Sequence, residues 1–165
     1  MSEATEALQP DMHFSGIAVI GFGMIGASFA AAVRSVFPDA RVMAVDTDEA
    51  TLSTALEKGW ATTIATPDDP VFREFIQNEC DLVMLATPAS AVEWYLRSLS
   101  DWGFAGILTD TASTKSKIST LASSVLAHPE NYIPGHPMAG SEKSGIAGAR
   151  ADLFKGAHWI LCPDS

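Results

Sequence analysis

A glycine-rich segment near the start of the chain, Gly21-Phe22-Gly23-Met24-Ile25-Gly26, most restricts the possible fold. An apolar run ends at Gly21, and a stretch of small residues with helical character follows Gly26. Glycines at this spacing between a strand and a helix permit a tight turn, close approach of a diphosphate to the backbone, and close packing of the helix. The segment therefore predicts a strand–turn–helix unit that belongs to a parallel sheet.

Beyond this segment, short apolar runs of β type alternate with longer amphipathic stretches. Such alternation is typical of βαβ units, and continuously apolar strands indicate helices on both faces of a sheet. We therefore predict a doubly wound, mainly parallel, Rossmann-like α/β domain over residues 14–165, preceded by a flexible tail over residues 1–13. Predicted strands are 17–21, 42–46, 82–86, 107–110, 132–135 and 158–162; predicted helices are 25–36, 49–58, 71–78, 89–99 and 114–126. Asp48 and Ser113 are candidate N-caps, and Gly59 is a candidate helix stop.

The charge of the chain is strongly negative, with a formal value of −10 over 165 residues. A surface of this sign repels polyanions, so nucleic acid is not an expected partner. The acidic excess lies in residues 1–104, whereas acids and bases balance in residues 105–165. The second part is therefore the better place for an anionic ligand, and its bases are Lys115, Lys117, Lys143, Arg150 and Lys155.

Residues 14–33 form an uncharged run that is long enough to suggest a membrane span or a signal peptide. Acidic residues precede the run, the reverse of a signal peptide, and its glycines are placed as a binding turn requires. We therefore expect no membrane partner and a cytoplasmic protein. Cys80 and Cys162 have no metal-ligand spacing, so we expect two reduced, largely buried thiols and no metal.

Asp46 ends the predicted strand that follows the glycine-rich segment. An acidic residue there accepts hydrogen bonds from the adenosine ribose hydroxyls, and its charge repels a 2′-phosphate. No arginine follows Asp46, so we predict NAD rather than NADP as cofactor. As an alternative, Asp46 is only a strand-end or cap residue. Thr87 and Pro88 follow another predicted strand at the ligand-binding edge and are expected to contact the cofactor, although Pro88 also suits a helix start.

Ser113 and His136 each follow a predicted strand at this same edge. Ser113 is either an N-cap or a group close to the nicotinamide and His136. Histidine is suited to take a proton from an alcohol as hydride leaves, and Gly135 and Pro137 restrict the backbone around His136. These features predict an NAD-dependent dehydrogenase of a small alcohol-bearing substrate. We interpret the other histidines as surface or packed residues, namely His13, His128 and His158.

The chain resembles the prephenate dehydrogenase family, which includes arogenate and cyclohexadienyl dehydrogenases, over nearly all of residues 16–163. Many dehydrogenases share the first of the segments that carry the resemblance, whereas the last two are quite specific to this family. The four segments are Gly21-Phe22-Gly23-Met24-Ile25-Gly26-Ala27-Ser28, Asp81-Leu82-Val83-Met84-Leu85-Ala86-Thr87-Pro88, Thr109-Asp110-Thr111-Ala112-Ser113-Thr114-Lys115 and Gly135-His136-Pro137-Met138-Ala139-Gly140-Ser141-Glu142-Lys143-Ser144-Gly145.

The resemblance implies oxidative decarboxylation of prephenate to 4-hydroxyphenylpyruvate, a step of tyrosine synthesis in which NAD accepts the hydride. It implies that His136 binds the ring hydroxyl and accepts its proton. It also implies that Ser113 hydrogen-bonds both His136 and this hydroxyl near the nicotinamide, and that Glu142 lies at the mouth of the site and takes part in substrate binding and gating.

Members of this family continue into a helical domain that dimerises and supplies arginine and histidine groups for the substrate carboxylates. The present sequence resembles only the part before that domain, so we expect an isolated nucleotide-binding domain that binds NAD and turns over prephenate poorly or not at all. The full-length enzyme is expected to be a homodimer. The alternatives are an arogenate dehydrogenase, another hydroxyacid-type dehydrogenase, and a nucleotide-binding regulatory module without catalysis.

Overall fold

A computed structural model describes residues 13–140 and 143–162. Their strands are β1 (Gly16–Ile20), β2 (Arg41–Val45), β3 (Thr63–Ala65), β4 (Leu82–Leu85), β5 (Ile107–Asp110), β6 (Tyr132–Pro137) and β7 (Trp159–Leu161). They form one sheet in the order β3-β2-β1-β4-β5-β6-β7. Neighbouring strands from β3 to β6 are parallel, and β7 is antiparallel to β6. The chain order reverses between β1 and β4, where ligands bind in sheets of this type.

Five α-helices connect the strands: α1 (Met24–Val36), α2 (Glu49–Glu57), α3 (Pro70–Asn78), α4 (Ala89–Asp101) and α5 (Ser116–Val125). All five were predicted, and the doubly wound α/β architecture is confirmed. Helix α5 begins later than predicted, and Lys115 precedes it without a side-chain cap. The N-cap interpretation of Ser113 is therefore wrong. Short 3-10 helices span Pro129–Asn131 and Ile146–Gly148.

The boundaries of α2 follow from local sequence. The Asp48 carboxylate accepts hydrogen bonds from the Thr51 hydroxyl at 2.6 Å and the Thr51 backbone N–H at 3.1 Å. These bonds satisfy a free donor of the first turn and lower the pKa of Asp48. Gly59 has φ +66° just after the helix, a backbone conformation that favours glycine. Both predictions for this helix are confirmed.

The core lies on both faces of the sheet, because alternate residues of a strand point to opposite sides. In β1, Ile17 and Val19 belong to the cluster that includes Ala27 and Ala30 of α1. Ala18 and Ile20 belong to the opposite cluster, which contains buried residues of α3, α4 and α5. Both faces of β1 are apolar for this reason, as its uninterrupted apolar sequence predicted.

Two expectations are corrected or restricted by the structure. The thiol of Cys80 donates to the carbonyl of Leu82 at 3.2 Å, and burial raises the pKa of this thiol to about 12. Cys162, in contrast, is exposed, so the expectation that it is buried was wrong. The predicted tail falls outside the described residues except for His13, which is exposed. In residues 13–140 and 143–162, no helix has both the length and the apolar character needed to cross a bilayer.

Candidate active site at the carboxyl edge of the sheet

The glycine-rich turn between β1 and α1 has the steric features expected of a diphosphate site. Gly21 has φ +87°, and a Cβ there would lie 2.6 Å from the carbonyl oxygen of Ala86. A Cβ on Gly26 would lie 2.0 Å from the carbonyl oxygen of Gly21, which brings helix and turn into close contact. A Cβ on Gly23 would meet no atom within 4 Å. Gly21 and Gly26 therefore serve the fold, whereas Gly23 faces open space at the start of α1.

Asp46 is joined directly to this turn. One of its carboxylate oxygens accepts the backbone N–H of Phe22 at 2.7 Å, and the other accepts that of Asp48 at 3.0 Å. A carboxylate has about four acceptor positions, so both oxygens can accept further hydrogen bonds. The local bond to Asp48 agrees with the strand-end interpretation, while the bond to Phe22 fixes the carboxylate beside the turn, as a ribose ligand requires.

The segment that follows β6 returns to α1 at two points. A Cβ on Gly140 would lie 4.0 Å from the Cε of Met24, so the two residues are neighbours. Further along, the buried hydroxyl of Ser28 accepts the backbone N–H of Arg150 at 3.0 Å. The structure thus brings together the two segments that the sequence singled out. Ile25, in the first turn of α1, is partly exposed.

Thr87 and Pro88 lie at the end of β4, next to the same turn. The backbone N of Thr87 would be 2.9 Å from a Cβ on Gly21, which places the two segments in contact. The hydroxyl oxygen of Thr87 is buried and has no hydrogen-bond partner among the described residues. Pro88 occupies the N-cap position of α4, so the helix-start interpretation of Pro88 is confirmed.

His136 lies inside β6 and pairs with Ile160 of β7, not in a loop after the strand as predicted. Its Nδ1 is 3.1 Å from the carbonyl oxygen of Thr111. Because a carbonyl oxygen only accepts, Nδ1 carries the proton and Nε2 is the nitrogen able to receive one. The ring is therefore held in the tautomer that a general base requires.

Ser113 lies in the segment between β5 and α5, at the same edge of the sheet as His136. Its side chain is exposed. In the described part of the chain it forms no hydrogen bond with His136, so the bond expected between them is not observed. Glu142 falls outside the described residues, as does Ser141.

Asp110 is the last residue of β5. The sequence motifs include it, but they assign it no role of its own. It is 0% exposed, and its carboxylate bonds to both the β5–α5 segment and β6. Its separation from its β6 partners by more than twenty residues explains why sequence reasoning gave it no role. A charged residue at the end of a buried strand was the one available signal. No group of three or more potential metal ligands occurs in residues 13–140 and 143–162.

Residues 29–165 match the model of the nucleotide-binding domain of prephenate dehydrogenase. The chain belongs to this family. Prephenate dehydrogenase from Bacillus subtilis is 36% identical over 154 residues, which cover 89% of this chain and 39% of that protein. The enzyme from Lactococcus lactis is 32% identical, with coverage of 90% and 41%. A cyclohexadienyl dehydrogenase from Zymomonas mobilis is also 32% identical, with coverage of 92% and 50%.

Solved structures of the prephenate dehydrogenase family have the same fold. The enzyme from A. aeolicus in complex with hydroxyphenyl propionate and NAD+ has a TM-score of 0.83 at 25% identity, covering 94% of this chain and 52% of that one. Arogenate dehydrogenase from Synechocystis has a TM-score of 0.77 at 30% identity, with coverage of 90% and 50%. The Rossmann-like prediction is confirmed. The present chain spans between about two fifths and one half of these relatives.

Proposed function

We propose that this chain is the NAD-binding domain of a cytoplasmic enzyme of tyrosine synthesis, which converts prephenate to 4-hydroxyphenylpyruvate by oxidative decarboxylation. The observation that carries the proposal is the 3.1 Å distance between Nδ1 of His136 and the carbonyl oxygen of Thr111, at the sheet edge that also holds the glycine-rich turn. Membership of the family supports the reaction class. The ligands named for the A. aeolicus relative support the choice of cofactor and of an aromatic, carboxylate-bearing product.

The turn fits the diphosphate of a dinucleotide. Gly23 leaves the space that a side chain would fill, and the N-terminus of α1 begins at that point with its positive dipole end. Phe22, Met24, Ile25 and Gly26 complete the turn, and Thr87 with Pro88 lies beside it. Asp46 would accept the ribose hydroxyls while repelling a 2′-phosphate, which favours NAD over NADP.

The reaction needs a base and alignment. In this proposal Nε2 of His136 accepts the proton of the ring 4-hydroxyl as hydride leaves the same carbon, and NAD supplies the hydride acceptor. Cleavage of the bond to the ring carboxylate releases CO2, and its electron pair restores the aromatic ring as a phenolate. His136 returns the proton to that oxygen. Ser113 hydrogen-bonds the hydroxyl, and Glu142 takes part in substrate binding at the mouth of the site.

The remaining part of a longer enzyme would supply the groups for the substrate carboxylates and the contacts of a homodimer. The chain covers 39% and 41% of two prephenate dehydrogenases, which leaves more than half of their length for those tasks. Arogenate is the second candidate substrate. The observation behind it is the 30% identity with an arogenate dehydrogenase at a TM-score of 0.77.

Calorimetric titration of this chain with NAD and with NADP tests the cofactor proposal. We expect binding of NAD and at least about tenfold weaker binding of NADP, because a 2′-phosphate would meet the Asp46 carboxylate. Gly23→Ala is the matched variant, since its added methyl contacts no protein atom. It should retain the fold and lose affinity for NAD. Tighter binding of NADP, or unchanged NAD affinity in Gly23→Ala, would contradict the proposed site.

Assays of the longer enzyme test the reaction itself. The protein is given NAD with prephenate or with arogenate, and NADH, CO2 and the aromatic product are measured. Higher kcat/KM with prephenate supports the first proposal, and higher kcat/KM with arogenate selects the alternative. NAD binding without turnover of either compound would identify a regulatory nucleotide-binding module or a dehydrogenase of another hydroxyacid.

A further inference from the structure

We infer that Asp110 is a positioning residue that fixes the ring of His136 from both sides of the site. The effect of Asp110 on catalysis rests on the proposed function, whereas its effect on the position of the His136 ring does not. Asp110 and His136 lie in neighbouring parallel strands. The carboxylate of Asp110 is buried and accepts four hydrogen bonds. The donors are Ala112 N at 3.0 Å, Lys115 Nζ at 2.7 Å, Tyr132 Oη at 2.9 Å and Gly135 N at 3.4 Å.

The four donors divide between the two segments that form the site. Oδ2 binds Ala112 and Lys115, which folds the segment after β5 back onto the end of that strand. Thr111 lies within this fold, and its carbonyl oxygen accepts from Nδ1 of His136. The conformation around Asp110 therefore sets the direction of the carbonyl that selects the tautomer.

The other oxygen of the carboxylate acts on the strand that carries the histidine. Oδ1 binds the hydroxyl of Tyr132 and the backbone N–H of Gly135, the residue immediately before His136. Tyr132 is buried, so its hydroxyl is a fixed donor. The same carboxylate thus anchors the acceptor and the donor of the Thr111–His136 hydrogen bond.

Charge makes this arrangement specific for aspartate. A buried carboxylate needs an opposite charge, and Lys115, whose side chain is 15% exposed, provides it. An asparagine would fill the same volume, but its amide nitrogen would face either the N–H of Ala112 or the N–H of Gly135. In both orientations two donors oppose each other, and the charge of Lys115 loses its partner.

Nitrogen NMR of the histidine rings tests the inference without substrate or turnover. In the 15N-labelled chain at alkaline pH, where imidazoles are neutral, we expect His136 to show a protonated Nδ1 and an unprotonated Nε2. Asp110→Asn should convert this to a mixture of both tautomers. Leu96→Ala, in the core of α4, is the control for general destabilisation and should retain the wild-type tautomer. A folded Asp110→Asn protein with the unchanged His136 tautomer would overturn the inference, as would equal changes in Leu96→Ala.

Should Asp110→Asn fail to fold, Tyr132→Phe tests the same inference. The phenyl ring occupies the same space and removes a single donor from Oδ1, so a smaller shift towards the second tautomer is expected, and an unchanged tautomer contradicts the inference. In the longer enzyme, either variant should lower kcat with little change in the KM for NAD. Failure of the proposed reaction would leave the NMR result intact, so the two hypotheses can be separated.

Discussion

At the scale of single residues, His136 has the most specific prediction. His136→Ala in the longer enzyme should lower kcat with prephenate by about a hundredfold or more, because a positioned base is lost. Affinity for NAD should change little. Steady-state kinetics and calorimetry measure the two effects. His128→Ala is the matched control, since the side chain of His128 is exposed and its Nδ1 lies 3.2 Å from Oε1 of Glu130 on the surface. Near-normal turnover of the His136 variant would remove it from the catalytic role.

For single residues, the sequence predicted those features correctly that depend on neighbours along the chain. The requirement for glycine at positions 21 and 26 follows from a turn and a helix that are adjacent in sequence, and both positions have the expected close contacts. The surroundings of His136 could not be predicted in the same way. Its partner Thr111 directly follows β5, and Asp110 ends that strand, so both lie about 25 residues before His136 in the chain. Contacts of this kind depend on strand register, which the sequence pattern does not specify.

At the scale of elements, the contact between the glycine turn and α1 gives a second prediction. Gly26→Ala would place a methyl group 2.0 Å from the carbonyl oxygen of Gly21, so helix and turn must separate. We expect a loss of about 1–3 kcal/mol in the free energy of unfolding, as is typical of overpacking, together with loss of NAD binding. Urea denaturation and calorimetry measure the two quantities.

The control for this prediction is Gly59→Ala after α2. The added methyl there meets no atom within 4 Å, but φ is +66°, so backbone strain alone should cost roughly 1–2 kcal/mol. NAD affinity should stay at the wild-type value in this variant. If Gly26→Ala bound NAD as well as Gly59→Ala does, close packing at Gly26 would not be needed for the cofactor site.

Element prediction from the sequence worked best for the long, periodic segments. Within the part of the chain that the structure describes, all five α-helices and six of the seven strands were predicted in type, and strand 107–110 was predicted with the observed bounds. Strand β3 was missed because its three residues are too few to show a period, and it exists through pairing with β2. Strand β6 was predicted too short because its last residues pair with β7, a non-local antiparallel partner.

At the scale of the whole molecule, the charge of the chain bears on what it can bind. Prephenate carries two carboxylates, and such groups are held best by bidentate guanidinium partners. Arg150 is the one arginine of residues 105–165, and it already pairs with Asp152 at 3.0 Å. Lys115 is bound to Asp110. The net charge of −10 adds a general repulsion of dianions.

We therefore predict that the NAD complex of this chain binds prephenate at least about tenfold more weakly than the longer enzyme does, since one lost charge-assisted hydrogen bond already costs about 1.5–3 kcal/mol. Calorimetric titration of prephenate into both NAD-saturated proteins provides the comparison. The weaker binding should be relieved in part by raised salt, because screening reduces the repulsion between the acidic chain and the dianion. Equal affinity of the two proteins would show that this chain itself holds both carboxylates of prephenate. Lys117 and the other bases of residues 105–165 would then be the candidate partners of those carboxylates.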